Sequence, residues 1–251
     1  MTQEYLSPLW ISLRTVSAAT AITFMLGIAA ARWMSKYSGR FRSLIDGLFI
    51  LPLVLPPTVV GLGLLLAFGK HGPFGQFLAL FGTTVIFSWP ATVISAAVMS
   101  FPLMYMTSRG AFEQVDGSVE DAARTLGASE WRVFWTVTMP LAWPGVAAAT
   151  VLALARCLGE FGATLMLAGN IPGRTATIPI AIYFAIQAGE TNQALVLVGI
   201  VLVIAFASLA AIAYWKGKGN KARASMALRE RVDENESAFL ERKTGPFPKR
   251  L

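Results

Sequence analysis

Five apolar stretches, each about 20 residues or longer, constrain this chain more than any motif in it. They fall at about 8–31, 46–69, 84–108, 134–158 and 194–215. At a rise of about 1.5 Å per residue, each is long enough to cross a hydrocarbon layer of about 30 Å. A sixth stretch, ATIPIAIYFAIQA at 176–188, is too short to span comfortably. It reads as a re-entrant or interfacial helix, or as a tilted sixth segment. Charged residues make up 14% of the 251, against about 25% in soluble domains. The expected fold is therefore all-α: a polytopic membrane bundle of five to six transmembrane helices over residues 1–215. A basic, flexible cytoplasmic tail at 216–251 is expected to follow. An ordinary soluble enzyme and a disordered chain are excluded. A single cysteine, Cys157, leaves no internal disulfide, and a single histidine, His71, offers no His-rich metal centre and no His-based triad. No catalytic residue and no metal ligand is expected.

The net charge of +7 is not the signature of a nucleic-acid binder, because it is concentrated in one place. Residues 216–251 hold ten Lys/Arg and five acids. Arg32, Lys36, Arg40 and Arg42 follow the first span, and Arg109, Arg124 and Arg132 follow the third. With five crossings these three regions share one side, which carries 17 of the 21 basic residues. The positive-inside rule then places the N-terminus outside and the C-terminus inside. The first basic residue is Arg14, so residues 1–7 lack the positive start of a cleaved leader and the first span is expected to be retained. Anionic membrane lipid is the natural partner of the basic tail. Trp10 and Trp33 suit interfacial anchors, and Arg14 is expected to reach outward to water.

The spans are interrupted. Pro52, Pro56 and Pro57 fall in the second, and Pro90, Pro102 and Pro144 in later ones. Each removes a backbone donor where water is absent, so these helices must face protein or a wet cavity there. Such breaks serve either as packing kinks or as parts of a conduit with two states. Gly61, Gly63, Gly159 and Gly162 permit close helix contact.

The loop between spans three and four, RGAFEQVDGSVEDAARTLGASEWRVFW, is the most specific segment. Ser118 is placed to cap a short helix, with Asp121 as the box partner and Gly127 at the position after its end. Val119, Ala122, Ala123 and Leu126 form one apolar stripe. A helix of two turns is unstable alone and must dock. Glu120, Asp121 and Glu130, with Asp116 just upstream, face a single base in Arg124. An acidic face suits an anionic leaflet poorly, so a protein groove is the expected partner.

Glu120-Asp-Ala-Ala-Arg-Thr-Leu-Gly127 with Met139-Pro140-Leu141 resembles the EAA loop of ABC-importer permeases, with Asp121 in place of the usual first alanine. The stretches LPLVLPPTVVG (51–61), FSWPATVISAAVMSFPLM (87–104), LARCLGEFGAT (154–164) and GNIPGRTATIP (169–179) resemble the molybdate-importer permeases in particular. The resemblance covers about 8–215 and implies the type I ABC-importer permease fold in a bacterial or archaeal cytoplasmic membrane. It implies a homodimer of permeases, two ABC ATPase subunits and an extracytoplasmic oxyanion-binding protein. It makes Glu120, Asp121, Ala122, Ala123, Arg124, Leu126 and Gly127 the ATPase-coupling residues. No cofactor is expected on this chain. The closest fragment to a phosphate loop, GKHG at 69–72, lacks the context, so ATP and Mg belong to the partner ATPase.

Molybdate is a dianion and needs a hydrated route through the bilayer. Hydroxyls at the breaks, Thr58, Ser100 and Thr164, are the pathway or gate candidates. Glu160 would repel a dianion and is read as a structural pair with Arg156 one turn earlier, or as a gate hinge. Lys70, His71 and Arg174 lie on outer loops, where they either meet a binding protein or are simply solvated. Three alternatives compete: a sulfate or thiosulfate permease, a membrane-embedded enzyme, and a gradient-driven carrier. The second lacks a catalytic companion for Glu160, and the third lacks intramembrane carboxylates and internal repeats.

Overall fold

In the computed structural model, residues 2–207 are described. The expected tail at 216–251 and the end of the fifth apolar stretch lie outside them. Helix α1 runs unbroken over Thr2–Lys36. Its buried positions, among them Ser12, Val16, Ala19, Thr23, Ile28 and Ala31, recur at spacings of three, four and five residues and form one side of the helix. That face packs on α5 (Trp89–Glu113). Gly27 permits the contact, since a Cβ there would stand 2.6 Å from Met104 Cγ. The third long element is Glu130–Leu158, which joins α7 (Glu130–Val133), a π-turn (Phe134–Thr138) and α8 (Met139–Leu158). Ile28, Met34, Met104, Tyr105, Val146 and Ala149 close the main core between these three helices.

Among the described residues, these three helices are long and apolar enough to span, and the second apolar stretch adds a fourth if it counts as one. That stretch is not the one interrupted span expected over 46–69. It is α2 (Arg42–Val54) and α3 (Pro57–Phe68), bent by 112°. The cause is local. Leu55 precedes Pro56, and Pro56 precedes Pro57. Each is pushed out of helical geometry, to ψ of 145° and 137°. Pro57 then opens α3, where its missing N–H costs nothing. Pro90 likewise sits in the first turn of α5 rather than kinking it, whereas Pro52, Pro102 and Pro144 are inside helices.

The π-turn also has a proline behind it. Pro140 has no N–H to offer the carbonyl four residues back, and Met139 N–H reaches Phe134 O, five residues back. Helices α4 (Pro73–Ala79), α6 (Gly117–Thr125), α9 (Gly162–Ala168) and α10 (Ile178–Gln187) are short. Helix α10 has ten residues and cannot cross a bilayer alone, as expected for 176–188. Helix α11 covers Thr191–Ala207 and overlaps the first part of the fifth apolar stretch.

Candidate functional site

Helix α6 is built as the loop sequence demands, with one change at its start. Asp116, not Ser118, is the cap: its Oδ1 accepts the Ser118 N–H at 2.9 Å. A carboxylate two residues upstream outcompetes the hydroxyl and also complements the helix dipole. Its end matches expectation, with Gly127 at φ +84°.

Glu120 departs from the expected outward acidic face. It is 7% exposed and turned toward the chain's own bundle. Arg32 Nη2 and Lys36 Nζ, one turn apart on α1, lie 3.0 and 3.3 Å from its carboxylate. Arg124 Nη2 lies at 3.0 Å, and the hydroxyl of Thr138 in the π-turn donates to Oε1 at 2.5 Å. Burial opposes the charge on Glu120, but the hydrogen bonds from Thr138 and Arg124, the Arg32 charge and the Lys36 hydrogen bond outweigh it. Together they hold the carboxyl at about 2. Glu130 accepts from Arg124 and Lys36. Asp121, at 2.5 Å from Arg124, is solvent-exposed. The apolar stripe does not pack on the bundle: Leu126 is 89% exposed and Val119 44%, with Ala122 exposed and Ala123 half-buried. The side of α6 docked on the bundle is thus ionic, and its apolar stripe is left exposed. Arg32, Lys36 and Thr138 were legible only as loop charges and an ordinary threonine. The signal that could have found the two cations is their i, i+4 spacing, which sets them one turn apart on a single face of α1.

A second ionic node ties α2 to α5. Arg109 pairs with Asp46 and, at 3.1 Å, with Glu113. Tyr105 donates to Asp46 at 2.6 Å, and Arg42 meets Glu113 at 2.9 Å.

Within the bundle the breaks come together. Glu160 lies between α8 and α9 and is 3% exposed. Its Oε1 accepts the Ala163 N–H at 2.8 Å, capping α9, while Oε2 is 2.8 Å from Arg156 Nη1 without the angle for a hydrogen bond. The expected pair with Arg156 is therefore present. The bend of α2–α3 packs on the same break: Cβ atoms added at Gly61 and Gly162 would meet Ala163 Cα and Pro57 Cβ at 2.8 and 2.9 Å. Glu160 and Thr164 line one small polar cavity with Ser12, Thr15, Cys157 and Thr177. Ser100 lies outside it, buried and bonded to Thr23 at 3.1 Å and Cys157 Sγ at 3.2 Å. Thr58 is exposed beside Gly162 rather than joined to the cavity. Arg14 does not simply reach for water, because its guanidinium stacks 4.0 Å over the Trp89 ring.

A bundle with a bent helix pair, interrupted helices and a short docked helix outside it is the architecture of a multi-pass membrane protein. The family described as "Binding-protein-dependent transport system inner membrane component" matches residues 23–215, and the chain belongs to it. It is 46% identical over 217 residues to the molybdenum transport system permease protein ModB of Escherichia coli K12, covering 85% of this chain and 94% of that one. It is 44% identical over 207 residues to the putative molybdenum transport system permease protein YvgM of Bacillus subtilis 168, covering 82% and 91%. Among solved structures, a bacterial alginate ABC transporter in complex with its periplasmic protein matches at TM-score 0.70 and 17% identity, over 88% of this chain and 80% of that one. At that identity the likeness concerns the fold.

Proposed function

We propose that this chain is the membrane subunit of an ATP-driven molybdate importer, and that tungstate shares its route. What carries the reading is identity of 44–46% with molybdenum permeases over more than four-fifths of the chain. The same identity disfavours the sulfate alternative. In the proposed assembly two copies of the chain pair with two ABC ATPase subunits, and an extracytoplasmic protein delivers the oxyanion. The N-terminus is outside and the C-terminus inside. ATP and Mg are held by the ATPase.

The geometry of α6 supports a coupling role. Val119 and Leu126 offer an exposed apolar stripe on a helix whose other side is fixed. A groove on the ATPase would bury that stripe, so that closure of the ATPase pair displaces α6 and the displacement passes into the bundle. The cavity at Glu160 is where helix breaks give the bundle freedom to rearrange. Glu160 itself holds the α8–α9 break together and does not contact the dianion.

The test is uptake into proteoliposomes holding the chain with its ATPase and binding protein. Labelled molybdate should accumulate only with ATP, with excess tungstate competing and sulfate not. Competition by sulfate would move the assignment to a sulfate permease, and uptake without ATP would overturn the importer.

A further inference from the structure

Two kinds of connection tie α6 to the bundle. The covalent ones, at 114–116 toward α5 and 126–129 toward α7, are short loops, and the second turns at Gly127. The other is the ion cluster, in which one buried carboxylate meets Arg32 and Lys36 of α1 and Thr138 of the π-turn. Loops bend under load, whereas a buried carboxylate that loses its partners pays a large desolvation penalty. A load on α6 therefore passes preferentially through Glu120.

The element it reaches is α1. From Arg32 back to Ser12 there are 20 residues of unbroken helix, or ~30 Å of rigid rod. At its far end Ser12 Oγ accepts the Ile178 N–H of α10 at 2.7 Å. Thr15 bonds to Thr92 at 2.8 Å and accepts from Trp89 Nε1 at 3.1 Å. Ser12 and Thr15 line the cavity that also holds Glu160 and Thr164. We infer that Glu120 and Arg32 are positioning residues that make α1 a lever, carrying displacement of α6 to the α8–α9 break and to the start of α10. This inference rests on the proposed coupling of α6 to an ATPase. It adds a route that bypasses the chain connections into α5 and α8.

The test uses the reconstituted complex of chain, ATPase and binding protein, and reads ATP hydrolysed per molybdate imported. Glu120→Gln keeps the shape and the Thr138 contact but removes the charge. It should leave the ATPase bound and raise the ratio roughly fivefold or more, the scale of ordinary coupling free energies. The double variant Glu120→Cys/Arg32→Cys should be uncoupled in the same way, and a short bis-methanethiosulfonate cross-linker, which forms a disulfide with each thiol and releases methanesulfinate, should restore the ratio. Cys157 is 4% exposed, so among this chain's thiols the reagent reaches only the introduced ones. An unchanged ratio in Glu120→Gln, or a tether that restores nothing, overturns the lever; the second outcome means Glu120 acts by touching the ATPase.

If the wild-type complex imports no molybdate, the functional reading falls, and the lever is decided without cargo. Nitroxides at Leu6→Cys and Leu80→Cys, both exposed, report the outer end of α1. A change in their separation on adding ATP that vanishes with Glu120→Gln supports the lever. A change that survives the substitution, or no change in the wild type, overturns it.

Discussion

Gly61 of α3 meets Ala163 of α9 backbone to backbone: a Cβ on Gly61 would stand 2.8 Å from Ala163 Cα and 2.8 Å from Met166 Cβ. Neither atom is the end of a flexible side chain, so the helices would have to separate. Gly63, two residues on, has nothing within 4 Å. Gly61→Val should therefore cost about 1–3 kcal/mol by overpacking, while Gly63→Ala should cost nothing measurable. Thermal unfolding in detergent decides it. Equal midpoints for the two variants would mean that α3 and α9 are not held at this spacing.

Closure of the helix end at Gly127 is a separate test. Its φ is +84° and a Cβ there would meet nothing within 4 Å. The penalty for a side chain is then backbone strain alone, about 1–2 kcal/mol for most residues and least for Asn. Gly127→Asn should preserve ATPase co-purification and Gly127→Val should weaken it. Loss in both would point to a need for the bare backbone by the partner.

The bundle was legible in the sequence because hydrophobic length is a physical requirement of the bilayer. The 112° bend was not, although its cause is in the sequence: three prolines in 46–69 interrupt one apolar stretch. Two consecutive pre-proline positions do more than remove donors, because they force two extended residues in a row. The coupling loop shows the converse. Its helix and its Gly127 turn follow from local rules, but the partner of Glu120 sits 88 positions away on α1, and no local rule reaches that far. A positive-inside count sees Arg32 and Lys36 as topology signals. Only the fold reveals that the same two cations are also ligands of a buried acid.

The ion cluster should make α6 insensitive to pH across the physiological range. Glu120 is held at about 2, below its ordinary value of 4.5, by Thr138, Arg124, Arg32 and Lys36 against the opposing effect of burial. A depressed carboxylate contributes stability that is full above its unfolded value and is lost as pH falls toward the folded one. A nitroxide at Val119→Cys should thus stay immobilised down to about pH 4 and loosen only below it. Arg32→Gln should shift that loosening upward. Release near pH 6 in the unaltered chain would mean that Glu120 is not held as described.

The apolar stripe left outside gives a prediction about assembly rather than stability. Leu126 is 89% exposed, so Leu126→Asp removes no buried contact within the chain and should leave its unfolding midpoint within about 0.5 kcal/mol of the parent, as surface changes do. If a groove on the ATPase covers that side chain, the same substitution should abolish co-purification of the ATPase. A destabilised permease would place Leu126 against its own bundle, and an intact complex would remove the stripe from the docking surface.

Glu160 carries two separable contacts, and two substitutions separate them. Glu160→Gln keeps a carbonyl oxygen for the Ala163 N–H and loses the charge facing Arg156; Glu160→Ala loses both. The lost cap should cost about 1 kcal/mol, beyond whatever both variants lose with the ion pair. Ala should therefore unfold at lower temperature than Gln. Uptake adds the functional half. If Glu160 holds the α8–α9 break and does not touch the anion, Gln should slow molybdate import without changing the concentration at which import is half-maximal, and Ala should slow it further. A marked change in that concentration with Gln would put the carboxylate in contact with the dianion, against the sign of its charge.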